Sequence, residues 1–194
     1  MTQNTKNMNC GDAEDKKKKV IELCLNCFVE RGLFETTTRD LSKAINLQSG
    51  GIYQYFNTKD EMVIACAEAA ALKLEERLIL HSINDIEDPD LLMQRLRERA
   101  DEMSATMKFF SQVCSSAKYY GAMRPVLGKL GKRYYQYAEK IACRIGCDTD
   151  EAAPFVYIAI ATVTNYMIFG EADYIEPQIE VIKAQLRKLI SLHN

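Results

Sequence analysis

Apolar residues recur every three or four positions along most of this chain, the spacing that lines one face of an α-helix. The first such face is Val20, Cys24, Cys27 and Phe28, following a basic run at 16–19; Gly32, just behind Arg31, ends it. Residues 1–15 are polar and are expected to fray. A short second helix starts in Thr36-Thr37-Thr38-Arg39-Asp40-Leu41. Thr37 suits its N-cap, and Asp40 can close a capping box. Ala44, Ile45 and Leu47 form its apolar end, with Asn46 where the chain must turn; asparagine tolerates the left-handed conformation. A third short helix is expected from Ser49 to Phe56. Thr58, with Glu61 after it, caps a fourth, whose stripe Val63, Cys66, Ala70, Leu74, Leu78 runs to about Leu80. Residues 84–89 read as a linker. Five further stripes span Leu92–Met107, Phe110–Tyr120, Leu127–Ile145, Ala152–Phe169 and Pro177–Leu189. The pattern predicts an all-α protein of about nine helices.

Composition supports that reading. Glycine (9) and proline (4) are scarce in the 194 residues, which favours helix throughout. The residues from Ala152 to Gly170 carry no charge and are about the minimum length for a membrane span. They contain Pro154, Thr162, Thr164 and Asn165 and have no basic flank. A helix buried on all sides, in the core or at a subunit interface, is expected there rather than a membrane span. The seven cysteines are odd in number and no apolar leader precedes them, so free thiols and a cytoplasmic location are expected. Net charge is −2, but residues 1–60 carry nine Lys/Arg against eight Asp/Glu, and only the local field at a docking face matters for nucleic acid.

Residues 37–56 form the informative unit. Two short helices separated by a tight turn, braced by a longer helix before them, have helix-turn-helix geometry. The second helix opens with Ser49, Gly50 and Gly51. Two consecutive glycines there cost about 1 kcal/mol each relative to alanine, and close approach to a phosphate or base edge would account for them. Tyr53, Gln54 and Tyr55 can then contact phosphates or read bases, while Ile52 and Phe56 pack inward.

In these residues the chain resembles the TetR family of regulators. The stretch from Gly32 to Leu41 looks like that family's opening of the second helix. Ile52-Tyr53-Gln54-Tyr55-Phe56-Asn57-Thr58-Lys59-Asp60-Glu61 looks like its "Leu-Tyr-x-Tyr-Phe-x-Ser/Thr-Lys-Glu" run. Ile21, Leu25 and Phe28 match the first helix, so the similarity covers about residues 18–65. The resemblance implies a three-helix DNA-binding domain over residues 1–60 and a helical ligand-binding and dimerisation domain over 61–194. It implies Thr37 as cap, Thr38 and Arg39 at phosphate or base edges, and Ser49, Gly50 and Gly51 at the recognition helix. Tyr53, Gln54 and Tyr55 follow as contacts, and Lys59 as a phosphate clamp. The recognition helix departs from the family in having Ser49 where Lys or Arg is frequent. Affinity would then lean on Lys59, Arg39 and the lysines at 16–19.

The same resemblance implies a homodimer through the last two helices on palindromic double-stranded operator DNA, released by a small apolar or aromatic effector. The fourth helix, with Lys59 at its DNA end, would be the lever. Aromatic and methionine residues are dense between Met103 and Tyr137, which suits an apolar pocket. Met103, Met107, Phe110, Tyr120 and Tyr134 are the candidate lining, with Asn165 as a polar anchor. No cofactor or metal site is expected. With only His81 and His193, and no Ser/His/Asp or Cys/His arrangement, an enzyme is not expected. The alternative is a thiol-oxidation sensor with the same DNA-binding half. Cys24 and Cys27 have CxxC spacing but lie on an inner helix face, and Cys143 and Cys147 are one turn apart near a helix end.

Overall fold

A computed structural model of the chain describes residues 5–116, 121, 124–170 and 172–193. Among the described residues all regular structure is helical, with seven α-helices: α1 (Thr5–Arg31), α2 (Thr38–Ala44), α3 (Lys59–Leu74), α4 (Pro89–Ser116), α5 (Arg124–Ile145), α6 (Thr149–Phe169) and α7 (Ala172–His193). The chain divides into two compact units. One comprises Met1–Ala71 with Phe109–Ala122, the other Leu72–Lys108 with Met123–Asn194. The boundary after Asp60 expected from sequence differs from this division, which falls within α3 and within α4.

Seven helices stand where about nine were expected, for two reasons. No glycine or proline interrupts residues 90–116, so the two stripes expected on either side of residue 109 share the single helix α4. And the expected third helix is only a 3₁₀ turn, Gly51–Gln54. Ala117, Tyr119 and Tyr120 lie outside the described residues. α1 also begins well before its expected start, at Thr5. Its first half contains no helix breaker except Gly11, and Lys18 pairs with Glu14 at 3.7 Å and Asp15 at 3.9 Å along the helix. An acid four residues before a base is the favourable order.

In the first unit Val20, Cys24, Cys27 and Phe28 are buried on α1, as their spacing predicts, and Leu41, Ile52, Phe56, Met62 and Cys66 join them. Phe109 of α4 stacks on Phe28, with ring centroids 5.3 Å apart and planes at 17°. α1 stops at Gly32, whose φ of +92° suits glycine, and the Gly32 amide donates to the Phe28 carbonyl at 2.8 Å.

The second unit packs α5, α6 and α7 with the first turns of α4. Its core holds Leu92, Leu96, Ile141, Phe155, Ile182 and Leu186. Asp90 of α4 accepts from Arg187 at 2.6 Å and pairs with Lys183 at 3.1 Å on α7. After α3 the helix widens to a π segment, Glu75–Leu80. Its displaced carbonyls find side-chain partners: Ser82 Oγ donates to Leu78 at 2.5 Å, and His81 Nδ1 lies 2.6 Å from the Glu76 oxygen.

α6 is not buried on all sides. It is long and apolar enough to cross a membrane, and 28% of its apolar window is buried within the chain. Tyr157 is 64% and Phe169 68% exposed. α5 and α7 cover one side of the helix and leave the other open.

Candidate nucleic-acid interface

The local chemistry of residues 32–61 fixes two short elements against α1. Thr37 caps α2 in a complete capping box. Its Oγ1 accepts from the Asp40 amide at 3.2 Å, and Asp40 Oδ2 accepts from the Thr37 amide at 3.0 Å. The Thr37 hydroxyl, then the Thr37 amide, and the nearby Arg31 and Lys43 charges hold the Asp40 carboxyl below its usual range. Arg31 at the end of α1 reaches Asp40 Oδ1 at 3.0 Å. Thr36 is fully buried, and its hydroxyl donates to the Gly32 carbonyl at 2.6 Å. The turn after α2 passes through Asn46 at φ +57°, as its sequence suggests.

The expected recognition helix is a 3₁₀ turn because of its glycines. Gly50 takes φ +87°, a left-handed conformation incompatible with continuing an α-helix. A Cβ on Gly51 would stand 2.6 Å from Leu47 Cβ. Packing on Leu47 thus supplies a reason for Gly51 inside the chain, where the sequence alone suggested approach to a ligand. Ile52 and Phe56 are buried at 0% and 1% exposure and anchor the turn. Tyr53, Gln54, Ser49 and Gly50 are exposed, Tyr55 and Gly51 half-buried. On α2, Thr37 and Arg39 are exposed and Thr38 half-buried. The polar side chains expected to meet DNA are therefore accessible, while the apolar ones between them hold the backbone.

Two lysines are placed by contacts that sequence spacing does not reveal. Lys17 lies over the Phe56 ring, 5.2 Å from its centroid. Lys59, the first residue of α3, donates to the Thr36 carbonyl at 2.8 Å. The Leu33 amide likewise donates to the side-chain oxygen of Gln112 at 3.2 Å. Thr58 caps α3 as expected, accepting from the Glu61 amide at 3.1 Å, and Glu61 returns to the Asn57 amide at 2.8 Å.

Of the candidate ligand residues, Phe110 belongs to the first unit and Met103, Met107, Tyr134 and Asn165 to the second. Met103 and Met107 are buried in α4, and Phe110 is half-buried within the first unit. The Tyr134 hydroxyl is buried without a hydrogen-bond partner, beside the Tyr157 ring at 5.8 Å. Asn165 is exposed on α6, because the side of that helix it occupies is uncovered in the single chain, so it anchors no buried site there. Tyr120 lies outside the described residues. The second unit does hold a cavity of about 20 Å³, lined by Met93, Leu96, Ala100, Val163 and Ile179, with the polar groups of Arg97, Thr162 and Tyr166. None of the candidate ligand residues lines it. That volume admits about one water molecule.

Thiol chemistry finds no support in the buried cysteines. Cys24, Cys27 and Cys66 are buried, and desolvation pushes the Cys24 thiol up to about 12 and raises the other two. Such thiols stay protonated and unreactive. No group able to hold a metal ion occurs among the described residues.

A capped helix, a tight turn and a short element with exposed polar residues follow one another in residues 37–56, the order expected of a helix-turn-helix. Residues 20–66 match the family of bacterial regulatory proteins of the tetR family. The repressor KstR2 of Mycobacterium tuberculosis is 38% identical over 53 residues, covering 27% of this chain and 26% of KstR2. The regulator PksA of Bacillus subtilis is 32% identical over 81 residues, covering 42% of this chain and 37% of PksA. The match thus spans well under half the length of these curated relatives. Two solved structures share the fold. The multidrug binding protein EbrR complexed with imidazole has a TM-score of 0.59 at 15% identity, covering 88% of this chain and 94% of EbrR. A transcriptional regulator from Rhodococcus sp. Rha1 has a TM-score of 0.62 at 19% identity, covering 91% of this chain and 95% of that one.

Proposed function

We propose that this protein is a transcriptional repressor that binds a palindromic operator as a homodimer and leaves it when a small molecule binds the second unit. The observation that carries the DNA-binding half is the exposure of Arg39, Tyr53 and Gln54 on elements anchored by Ile52 and Phe56. Phosphate contacts from Arg39, with Thr37, Thr38, Ser49, Gly50, Gly51 and Tyr55, would fix the register, and Tyr53 and Gln54 would read base edges. KstR2, 38% identical over 53 residues, is a repressor by its name, which supports repression here.

The uncovered sides of α6 and α7 support the dimer. Tyr157, Phe169, Val181 and Leu192 are all more than half exposed, an apolar surface suited to a second copy. A twofold pair would set its recognition turns about one DNA turn apart, roughly 34–36 Å. EbrR, a structural neighbour, is a multidrug binding protein by its name. A ligand of ordinary size needs a few hundred Å³, so the 20 Å³ cavity would have to widen, and the flexible Met93 beside it allows that. Release then requires tighter ligand binding to a conformer unable to dock on DNA.

A gel shift of the DNA upstream of the protein's own gene tests the reading, with wild type and an Arg39→Ala/Tyr53→Ala variant. Specific retardation that disappears in the variant supports it. Equal binding by both proteins contradicts it.

A further inference from the structure

Lys59 occupies an awkward place. It is the first residue of α3, where the helix dipole disfavours a positive charge. Asp60 and Glu61, also in the first turn, have the sign the dipole favours. Its ammonium does not extend freely into solvent: it is half-buried and bonded to the carbonyl of Thr36 at 2.8 Å. Thr36 is itself immobilised, fully buried with its hydroxyl on the Gly32 carbonyl. The next residue, Thr37, opens the capping box of α2. One side chain therefore joins the end of α1, the start of α2 and the start of α3.

We propose that Lys59 is a positioning residue, a pin that holds the start of α3 on the Thr36 carbonyl and so sets Thr37, Thr38 and Arg39 against the recognition turn, rather than a phosphate ligand. The proposal rests on the DNA-binding reading above. The bond spans residues far apart in sequence and joins a cation to a carbonyl oxygen, a pairing stronger than that between neutral groups. The bond ties the first turn of α3 to the residue that precedes the N-cap of α2.

Salt dependence separates a pin from a phosphate ligand. Removing one cation that neutralises a phosphate lowers the slope of log affinity against log salt by about 0.9. The full-length protein, its Lys59→Met and Lys59→Arg variants and an Arg39→Gln control are titrated against one wild-type-selected DNA fragment from low to moderate salt. Lys59→Met is expected to bind roughly tenfold more weakly at every salt concentration, on a line parallel to wild type, and Lys59→Arg to recover most of that affinity. Arg39→Gln is expected to lower the slope. A second readout needs no DNA: amide exchange at Leu41 and Ser42 in α2 should quicken about tenfold in Lys59→Met and not in Lys59→Arg. Lys59→Gln replaces Lys59→Met if the latter does not fold. A reduced slope for Lys59→Met with unchanged α2 exchange makes Lys59 a phosphate ligand and overturns the proposal. Unchanged affinity together with unchanged exchange overturns it too. If wild type selects no DNA while α2 exchange still quickens, the DNA-binding reading fails and the pin stands.

Discussion

Phe28 of α1 and Phe109 of α4 stack at 5.3 Å with nearly parallel rings, both almost fully buried. The partner that closes the core of the first unit thus comes from far along the chain, and residues 1–60 alone lack it. Phe109→Ala should destabilise the first unit by about 3–5 kcal/mol, the range for deleting a buried aromatic ring. Urea unfolding followed by tyrosine fluorescence or by amide exchange in α1 and α2 checks this. A destabilisation below about 1 kcal/mol would mean that the ring contributes little.

The capping box predicts a response to acid. Thr37 hydrogen bonds hold the folded pKa of Asp40 below its unfolded value of about 3.9. Asp40 therefore contributes stability that is present above the unfolded pKa and lost as pH falls through the folded one. Asp40→Asn should melt below wild type at about pH 6, and the gap should close below about pH 4. Thr37→Ala should cost ~1 kcal/mol through loss of the N-cap. A gap that stays constant between about pH 6 and pH 3 would show that the carboxylate charge is immaterial.

Gly51 and Leu47 should behave as a coupled pair. An added Cβ at 51 would meet Leu47 Cβ at 2.6 Å, so Gly51→Ala should destabilise the unit by about 1–3 kcal/mol through overpacking. Leu47→Ala alone should also destabilise, but the double variant should fall short of the sum of the two. Additive effects in a double-mutant cycle would remove the close approach as the reason for the glycine.

Tyr157 and Phe169 test the dimer. Glutamate at both positions leaves each chain's buried core untouched, since the two are 64% and 68% exposed. Sedimentation equilibrium should show wild type as a dimer and Tyr157→Glu/Phe169→Glu as a folded monomer with weakened DNA binding. A wild type that sediments as a monomer at micromolar concentration would refute the assembly.

What the sequence made legible was local. The Thr37–Asp40 box, the Thr58 cap, the left-handed Asn46, the stop at Gly32 and the inward turn of Ile52 and Phe56 all involve residues within about one helical turn of each other. What it hid was either distant or cumulative. The Lys59–Thr36 and Gln112–Leu33 bonds and the Phe28–Phe109 stack join residues that no spacing rule relates. The shortness of the recognition turn follows from Gly50 and Gly51 together with Leu47, a packing fact. The unbroken α4 follows from a missing helix breaker, which a periodic stripe does not report. Residue type points to Met103 and Asn165 as ligand side chains, but neither lines the cavity of the second unit, because type carries no information about packing.

Hydroxyl-radical footprinting of a selected DNA fragment tests the central claim most directly. The account predicts two protected half-sites whose centres lie about 10 base pairs, or a multiple of that, apart on one face of the duplex. Protection should vanish with Arg39→Ala/Tyr53→Ala. Protection that survives those substitutions, or none with wild type at low salt, would contradict it.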